Sequence, residues 1–386
     1  MGSCFVIGAS VRALAEEARL AGWKVTAADL FIDRDLRAIA NCYRLDCLSD
    51  LSKIQSIPIA SQDRIFLAGG MENHLEVVER LGSRATLWGP SFESLQALRS
   101  IERWKQWASE SGCAFPHSIS IRDASCLADF DEGAWLIKSM RSSGGFHVRA
   151  FRQAKGEKAD LQDGDFLQRR INGKSCSAVI LFGEEQCAVA QVAESISASE
   201  WNAPSEFAYC GNILGGWCND TNSLRSKLQR LGQRIQADLN LTEGWIGVDF
   251  IVDDANELHL LEINPRYTAS MELGRIQLGI PWCPHPNTHN SFMPSFTRQP
   301  DSCIAKAILY APQPISITSQ HTSIMWSERR TTAGSQSNWI ADIPTEGTEI
   351  AVGMPIVSLF TIGRDQTSLM SALHAYRDKI LRMLEI

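Results

Sequence analysis

The stretch that decides the fold spans residues 247–266. It begins with Gly247-Val248-Asp249-Phe250-Ile251-Val252, passes through turn-forming residues at 253–256, and ends with Leu258-His259-Leu260-Leu261-Glu262-Ile263-Asn264-Pro265-Arg266. The apolar runs on either side of the turn predict two β-strands joined as a hairpin. Because every second side chain of a strand points to the same face, Glu262 and Asn264 share a face, which Asp249 joins in a suitable register.

The polar residues of this hairpin predict a metal site. Asp249, Glu262 and Asn264 supply carboxylate and carboxamide oxygens, the ligands that Mg²⁺ (or Mn²⁺) prefers. Arg266 follows at once, and a guanidinium suits a phosphate or a carboxylate. The alternative is an edge hairpin whose acidic residues simply face water. We favour the metal site because the acids lie within apolar runs, where an unpaired charge is costly.

Size and composition bound the remaining interpretation. The chain has 386 residues, 44% of them hydrophobic and 21% charged, which is enough for two or three domains of an ordinary globular protein. A net charge of −7 argues against nucleic acid or an anionic membrane as the main partner. No apolar run reaches the roughly 18 residues of a membrane span. The first residues lack the features of a signal peptide, so we expect a cytoplasmic protein.

Eleven scattered cysteines favour reduced thiols over a disulfide framework. One cluster, Cys283, His285 and His289, could also be interpreted as a zinc site. We favour a loop on the substrate side instead, because a fourth ligand is missing from the sequence nearby.

The first hundred residues predict a parallel, doubly wound sheet. A strand at 4–8, a helix at 11–21 and a strand at 24–28 give a β-α-β opening, and further strands are expected at 64–68 and 86–89. Such sheets bind ligands at the carboxyl ends of their strands. Glu72 and Asn73 follow one of these strands, and they either contact substrate or merely begin the next helix.

A phosphate-binding segment is predicted near residue 140. Trp135-Leu136-Ile137-Lys138 is an apolar strand that ends in lysine, and a buried lysine needs a partner such as phosphate. A turn rich in serine and glycine follows, in which backbone N–H groups can approach phosphate oxygens closely. Its central residues are Ser142, Ser143, Gly144 and Gly145.

Together, the lysine strand, the glycine-rich turn and the hairpin resemble the ATP-grasp superfamily, whose signature is an acidic residue on one strand and Glu-x-Asn-x-Arg on the next. The resemblance is strongest over residues 100–275. It implies an α/β fold (an α+β grasp). The expected parts are a small Rossmann-like domain at 1–98, an ATP-grasp domain of two α+β subdomains at 99–300, and a small β-rich lobe at 301–386.

The resemblance also implies roles for individual residues. Asp249, Glu262 and Asn264 would hold the metal, and Arg266 would act on the substrate carboxylate or the transferred phosphoryl group. Thr268 and Ser270 follow as hydrogen-bond donors or as helix N-cap residues. Arg169 stands where the family commonly has glutamate, which makes the adenine and ribose contacts less certain than the phosphate contacts. The residues expected to bind nucleotide are Lys105, Lys138, Ser142, Ser143, Gly144, Gly145, Gln168, Arg169 and Ile171.

The activity implied is that of an ATP-dependent carboxylate–amine ligase, which joins two small molecules through an acyl phosphate and releases ADP. The sequence most resembles a carboligase-like group related to biotin carboxylase. Some members accompany genes for methanofuran-type or tetrahydromethanopterin-type C1 carriers, which suggests glutamate–tyramine ligation. Two alternatives stay open: a bicarbonate-dependent carboxylase that acts through carboxyphosphate, and a nucleotide-binding regulator without activity. The sequence leaves the oligomeric state open, with a homodimer as one option.

Overall fold

A computed structural model describes residues 2–120, 133–152, 164–215, 221–288, 302–330 and 337–386. Its fold is mixed α/β, with a parallel sheet in the N-terminal region and antiparallel sheets after it, which confirms the predicted class. The domain boundaries expected at residues 98 and 300 stay predictions.

The N-terminal region is a parallel sheet in which strands alternate with helices. Its strands are β1 (Ser3–Ile7), β2 (Lys24–Asp29), β3 (Asn41–Arg44), β4 (Arg64–Leu67) and β5 (Thr86–Leu87). Its helices are α1 (Arg12–Leu20), α2 (Arg34–Arg37), α3 (Leu51–Ser56), α4 (Leu75–Gly82) and α5 (Phe92–Leu98), with a 3₁₀ turn at Met71–Asn73.

The strands of this sheet lie in the order β3-β2-β1-β4-β5, and every neighbouring pair is parallel. The chain changes direction across the sheet between β1 and β4, so the loops after these two strands flank the switch point. The Ala9 N–H donates to the Gly69 carbonyl over 2.8 Å and joins the two loops.

A small antiparallel sheet follows in the order β6-β9-β7-β8. It carries Lys138 near the end of one strand and the glycine-rich turn directly after that strand. Its elements, with the helix that precedes them, are α6 (Ile101–Ser111), β6 (Ser118–Ser120), β7 (Trp135–Ser139), β8 (Arg149–Ala150) and β9 (Asp165–Arg169).

A long antiparallel sheet holds the rest of the chain together. Between residues 174 and 278 the described part of the chain forms five strands of this sheet and two helices. They are β10 (Lys174–Phe182), β11 (Cys187–Ser195), β12 (Gly211–Leu214), α7 (Asn222–Leu239), β13 (Gly244–Val252), β14 (Leu258–Asn264) and α8 (Met271–Leu278), with a 3₁₀ turn at Ala198–Glu200. The elements from the C-terminal part are β15 (Cys303–Tyr310), β16 (Ile315–Ser316), α9 (Ser319–Ser327), β17 (Asn338–Ala341), β18 (Glu349–Ile350), β19 (Pro355–Gly363) and α10 (Gln366–Met383).

The strand order β14-β13-β10-β11-β12-β15-β19-β17 shows that the C-terminal strands continue the same sheet. One face of β10 and β13 packs against α6 and α7 through a core that includes Trp104 and Leu228. The opposite face packs against the N-terminal region, where Trp245 stacks on Phe66 with ring centroids 6.2 Å apart. Asp249 lies on this second face, because every second residue of β13 points to the same side, and positions 245, 247 and 249 therefore share the face of Trp245.

A buried cluster of charges joins three parts of the chain. Arg12 of α1 bonds to Glu272 of α8 and to Asp342 after β17, and Lys306 of β15 lies 2.8 Å from the same Glu272. Such a cluster is costly to break, since a removed partner leaves a buried charge without compensation. It therefore fixes α1, α8 and the C-terminal strands relative to one another.

Among the described residues, no helix is both long and apolar enough to cross a membrane. The cysteines within those residues are all free thiols.

Candidate active site

The predicted metal ligands lie together on the hairpin of β13 and β14. Asp249 is directly opposite Glu262, and Gly247 is opposite Asn264. A bulge follows Asp249, and the Asn264 Nδ2 donates to Asp249 Oδ2 over 2.8 Å. Burial, and then the negative charge of Glu262, raise the pKa of Asp249 to about 7. Two facing carboxylates that disfavour each other's charge are a donor set that a divalent cation would satisfy.

Glycine at position 247 is required by this arrangement. A Cβ there would lie 2.4 Å from the Thr268 Cγ2 and 3.5 Å from the Asn264 Cβ. The bare backbone of β13 therefore lets the segment after β14 fold back over the hairpin.

Lys138 faces the same carboxylates from the small sheet. Burial lowers the pKa of Lys138, while the negative charges of Glu262 and Asp249 act to raise it. The structure thus brings Lys138 to the metal ligands, although 111 residues separate it from Asp249 in the sequence. Cationic and anionic groups that lie this close together suit a metal-bound phosphate chain.

Arg266 contacts the N-terminal region as well as the hairpin. Its Nε lies 2.9 Å from the Glu72 Oε1, and its Nη2 donates to the Asn264 Oδ1 over 3.2 Å. Glu72 is buried, and its Oε2 has no hydrogen-bond partner among the described residues. Glu72 therefore does more than begin a helix, since it lies at the site and holds Arg266.

Arg99 is a site residue that the sequence analysis missed. Its Nη1 lies 2.9 Å from Glu262 Oε1, and its Nη2 donates to Asn73 Oδ1 over 3.0 Å. Lys105, the residue predicted here, is exposed on α6 and has no contact with the site among the described residues. The sequence contained a signal for the start of this helix, because serine is a preferred N-cap residue. Ser100 caps α6, so the helix begins at Ile101 and Arg99 lies before it.

The glycine-rich turn packs against residues 207–209. Gly144 and Gly145 both have positive φ, at 68° and 76°, and a Cβ on Gly145 would lie 1.9 Å from the Phe207 carbonyl oxygen. The Gly144 carbonyl accepts a hydrogen bond from the Tyr209 N–H over 2.9 Å. Ser142 bonds back to the Ser139 carbonyl, and Ser143 is half-buried. Glycine is needed at 145 both for the backbone angle and for the close approach.

The residues predicted to contact adenine and ribose, Gln168, Arg169 and Ile171, lie at the end of β9 and directly after it. Gln168 is buried, and its Nε2 donates to the Ser118 Oγ over 3.1 Å. Arg169 is exposed, with its guanidinium 5.7 Å from the Trp135 ring centre, and Ile171 is half-buried. Their contacts with adenine or ribose stay predictions.

Thr268 and Ser270 are both buried, with their hydroxyl oxygens 3.2 Å apart. Ser270 precedes α8, but its side chain makes no capping hydrogen bond there. The alternative of an N-cap side chain is therefore not realised, and both hydroxyls stay candidates for contact with substrate.

Cys283 is buried and His285 is exposed, so these two residues do not form the start of a zinc site. His285 instead accepts a hydrogen bond from the Asn287 N–H at its Nδ1. His289, the third residue of that hypothesis, lies outside the described residues.

Comparisons with known proteins agree with this geometry. Residues 105–270 match the family described as ATP-grasp domain. No curated protein sequence matches the chain.

Solved structures resemble the chain over nearly its whole length. N5-carboxyaminoimidazole synthase from Aspergillus clavatus, solved with ADP and 5-aminoimidazole ribonucleotide, is 11% identical. Its TM-score is 0.69, and the match covers 98% of each chain. The biotin carboxylase domain dimer of Hydrogenobacter thermophilus 2-oxoglutarate carboxylase, with MgADP and bicarbonate, is 13% identical with a TM-score of 0.67, covering 96% of this chain and 88% of that one.

A third similar structure is that of L-amino acid ligase from Bacillus licheniformis. It is 13% identical with a TM-score of 0.67, and the match covers 98% of this chain and 97% of that one. These identities establish a shared fold and leave the substrate open. The resemblance seen in the sequence is therefore confirmed: residues 105–270 match the ATP-grasp domain family, and the chain shares its fold with these ligases and carboxylases.

Proposed function

We propose that the protein is an ATP-dependent carboxylate–amine ligase, which forms an amide through an acyl phosphate and releases ADP and phosphate. One observation supports this most directly. Asp249 and Glu262 face each other across a hairpin. The cations Lys138 and Arg99 reach these carboxylates from other parts of the chain, and Arg266 lies directly after the hairpin. Oxygen ligands surrounded by fixed cations suit a metal-bound triphosphate.

In this proposal Lys138, Arg99 and the glycine-rich turn hold the phosphates, and Arg99 takes the place first given to Lys105. Asp249, Glu262 and Asn264 would hold Mg²⁺, which neutralises phosphate charge when bound. The donor set fits such an ion, because burial and the neighbouring Glu262 carboxylate disfavour the negative charge of Asp249, which a bound cation would stabilise.

The chemistry has two steps. An oxygen of the substrate carboxylate attacks the γ-phosphorus, the bond from that phosphorus to the bridging oxygen breaks, and ADP leaves with the electron pair. The nitrogen of the amine then attacks the acyl carbon, phosphate leaves with the electrons of the C–O bond, and the nitrogen loses a proton to solvent. Arg266 holds the carboxylate or the transferred phosphoryl group during these steps.

Glu72 supports an amine as the substrate that attacks the acyl phosphate. Its Oε2 is buried beside Arg266 without a partner among the described residues, and a carboxylate oxygen can only accept hydrogen bonds. The N–H of an amine substrate would satisfy that oxygen. Bicarbonate stays a second candidate, because one of the similar structures was solved with bicarbonate and MgADP.

A narrower version, in which the enzyme ligates glutamate and tyramine for a C1-carrier cofactor, rests on the sequence resemblance alone. A homodimer is likewise proposed, by analogy with the similar carboxylase domain, which is a dimer.

The test is an assay of ADP release from MgATP with defined probes: the twenty L-amino acids as one mixture, the same mixture with tyramine and ammonium, and bicarbonate alone. Amide formation is followed by mass spectrometry. We expect release that depends on a carboxylate and an amine, and its loss in Glu262→Gln. Glu257→Gln is the matched control, since Glu257 is an exposed carboxylate in the turn of the same hairpin.

Release with bicarbonate alone would assign a carboxylase instead. Nucleotide binding without release from any mixture would assign a regulator. Equal rates in Glu262→Gln and the parent would show that the metal ligands are wrongly assigned.

A further inference from the structure

Tyr209 lies between the glycine-rich turn and the long sheet. Its N–H donates to the Gly144 carbonyl over 2.9 Å, and its own carbonyl accepts from the Tyr310 hydroxyl over 2.6 Å. The backbone of Tyr209 is therefore held from both sides. Phe146 of the same turn also contacts Tyr310, with ring centroids 6.5 Å apart. The position of Tyr209 thus depends on the turn being closed against it.

The hydroxyl of Tyr209 points along the face of the sheet that carries the metal ligands. It donates to the Asn212 Oδ1 over 2.6 Å, and the Asn212 Nδ2 donates to the Ser177 Oγ over 3.3 Å. Ser177 lies directly opposite Asp249 across β10 and β13. A short polar row of Tyr209, Asn212 and Ser177 therefore ends at Asp249.

The Tyr209 hydroxyl keeps its proton at neutral pH. Burial, and then the negative charge of Asp249, raise the pKa of Tyr209 above that of a free phenol. A protonated phenol has one O–H to donate. In the structure this O–H donates to the Asn212 Oδ1, and Asn212 is buried while Tyr209 is half-buried. Rotation about the C–O bond redirects the O–H to a substrate oxygen without moving the ring.

We propose that the Tyr209 hydroxyl donates a hydrogen bond to the acyl oxygen of the carboxylate substrate, and so stabilises the negative charge that develops there when the amine attacks. This inference rests on the proposed ligase function and adds a residue to it. Tyr209 keeps its proton throughout, and no bond to it forms or breaks. Because the Tyr209 backbone is held on both sides, only the O–H has to turn toward the substrate oxygen, and a donor in place before the charge develops needs little reorganisation.

The experiment compares Tyr209→Phe with Tyr376→Phe. Each variant loses one hydroxyl that donates a hydrogen bond, but Tyr376 donates to Glu328 in the C-terminal part of the chain, outside the site. The substrates are MgATP with the L-amino acid mixture, tyramine and ammonium. The readouts are kcat, KM for ATP, amide formed per ADP released, ATP affinity from tryptophan fluorescence, and the melting temperature.

We expect Tyr209→Phe to lower kcat about 100-fold, as losing one oxyanion donor does in other enzymes. Its ATP affinity and melting temperature stay at the parent values, and less amide forms per ADP. Tyr376→Phe keeps kcat within about twofold. A Tyr209→Phe enzyme with the kcat and coupling of the parent overturns the inference, and so does a loss explained entirely by weaker ATP binding. A parent enzyme that releases no ADP with these substrates overturns the ligase proposal and this inference together.

Discussion

Arg99 and Glu262 are 163 residues apart in the chain, yet the Arg99 Nη1 lies 2.9 Å from the Glu262 Oε1. Arg99 is 7% exposed and also bonds to Asn73 of the N-terminal region. This pair brings the start of α6, the loop after β4 and the metal hairpin to one point. It indicates that the cation which accompanies the metal site comes from the residue before α6 and not from α6 itself.

Replacing Arg99 should weaken nucleotide binding. Arg99→Met keeps the apolar stem but removes the charge, and we expect KM for ATP to rise at least about tenfold, since hydrogen bonds to charged groups contribute about 1.5–3 kcal/mol. Lys105→Met is the matched control and should stay near the parent value. Steady-state kinetics and fluorescence titration with ATP measure both. A larger effect at Lys105 than at Arg99 would restore the original prediction.

Metal binding should stabilise the fold through Asp249. We expect millimolar Mg²⁺ to raise the melting temperature of the parent, because an ion that binds only the folded hairpin shifts the equilibrium toward it. Asp249→Asn should lose this response, and its melting temperature without metal should equal or exceed that of the parent, since the repulsion with Glu262 is gone. Asp254→Asn, in the exposed turn, should respond as the parent does. The assignment fails if Asp249→Asn still responds fully.

Gly144 and Gly145 of the glycine-rich turn should differ in their tolerance of a side chain. Both have positive φ, but a Cβ on Gly145 would meet the Phe207 carbonyl oxygen at 1.9 Å, whereas on Gly144 it would meet only the Phe146 ring at 3.2 Å. We expect Gly145→Ala to raise KM for ATP by a larger factor than Gly144→Ala, with little change in circular dichroism. Equal effects would mean that the backbone angle alone, and not the contact, is responsible.

Glu17 should give the fold a pH dependence. Burial raises the pKa of Glu17 to about 8, although Arg275 and hydrogen bonds from the Trp282 N–H and the Tyr267 hydroxyl act to lower it. The unfolded value is about 4.3, so between these values the folded protein binds the extra proton, and the free energy of unfolding falls as pH rises. Above about pH 8 this contribution is constant.

We expect the free energy of unfolding of Glu17→Gln to fall less steeply than that of the parent between pH 5 and 8. Urea unfolding curves recorded at several pH values measure this slope. Glu16→Gln, a half-exposed neighbour on the same helix, should leave the slope unchanged. An unchanged slope in Glu17→Gln would show that another group causes the dependence.

Removing Glu272 should destabilise the whole chain. Burial alone would raise its pKa, but the positive charges of Arg12 and Lys306 hold the pKa well below its usual range. Glu272→Gln removes the carboxylate that both Arg12 and Lys306 contact, so their buried charges are less well compensated, and we expect a loss of about 3–5 kcal/mol in the free energy of unfolding. Urea denaturation measures the loss. Glu349→Gln, on the exposed side of β18, serves as control and should change stability little.

The sequence contained enough to predict the hairpin, the lysine strand and the glycine-rich turn. These are local patterns: alternation fixes the face of each residue, and the register of a tight hairpin places Asp249 opposite Glu262. Strand β3 was missed because its residues are exposed or half-buried, so it lacks an apolar run. Arg99 was missed because its role depends on where α6 begins, a boundary of one or two residues that periodicity does not resolve.

The charge cluster was beyond sequence reasoning for a different reason. Arg12, Glu272 and Lys306 lie in separate regions, and each looks like an ordinary surface residue of its own element. Only the packing of α1 against α8 and β15 removes them from water. Long-range pairs of this kind depend on tertiary structure, and local periodicity carries no information about them.

Because β15 pairs directly with β12, the last eighty residues are part of the main sheet and not an appendage. A chain cut before Cys303 would leave β12 as a bare edge, with unpaired amides ready to recruit a strand from another molecule. It would also remove Lys306, one of the cations that compensate the buried charge of Glu272. We therefore expect a protein truncated before Cys303 to aggregate and not to retain nucleotide binding.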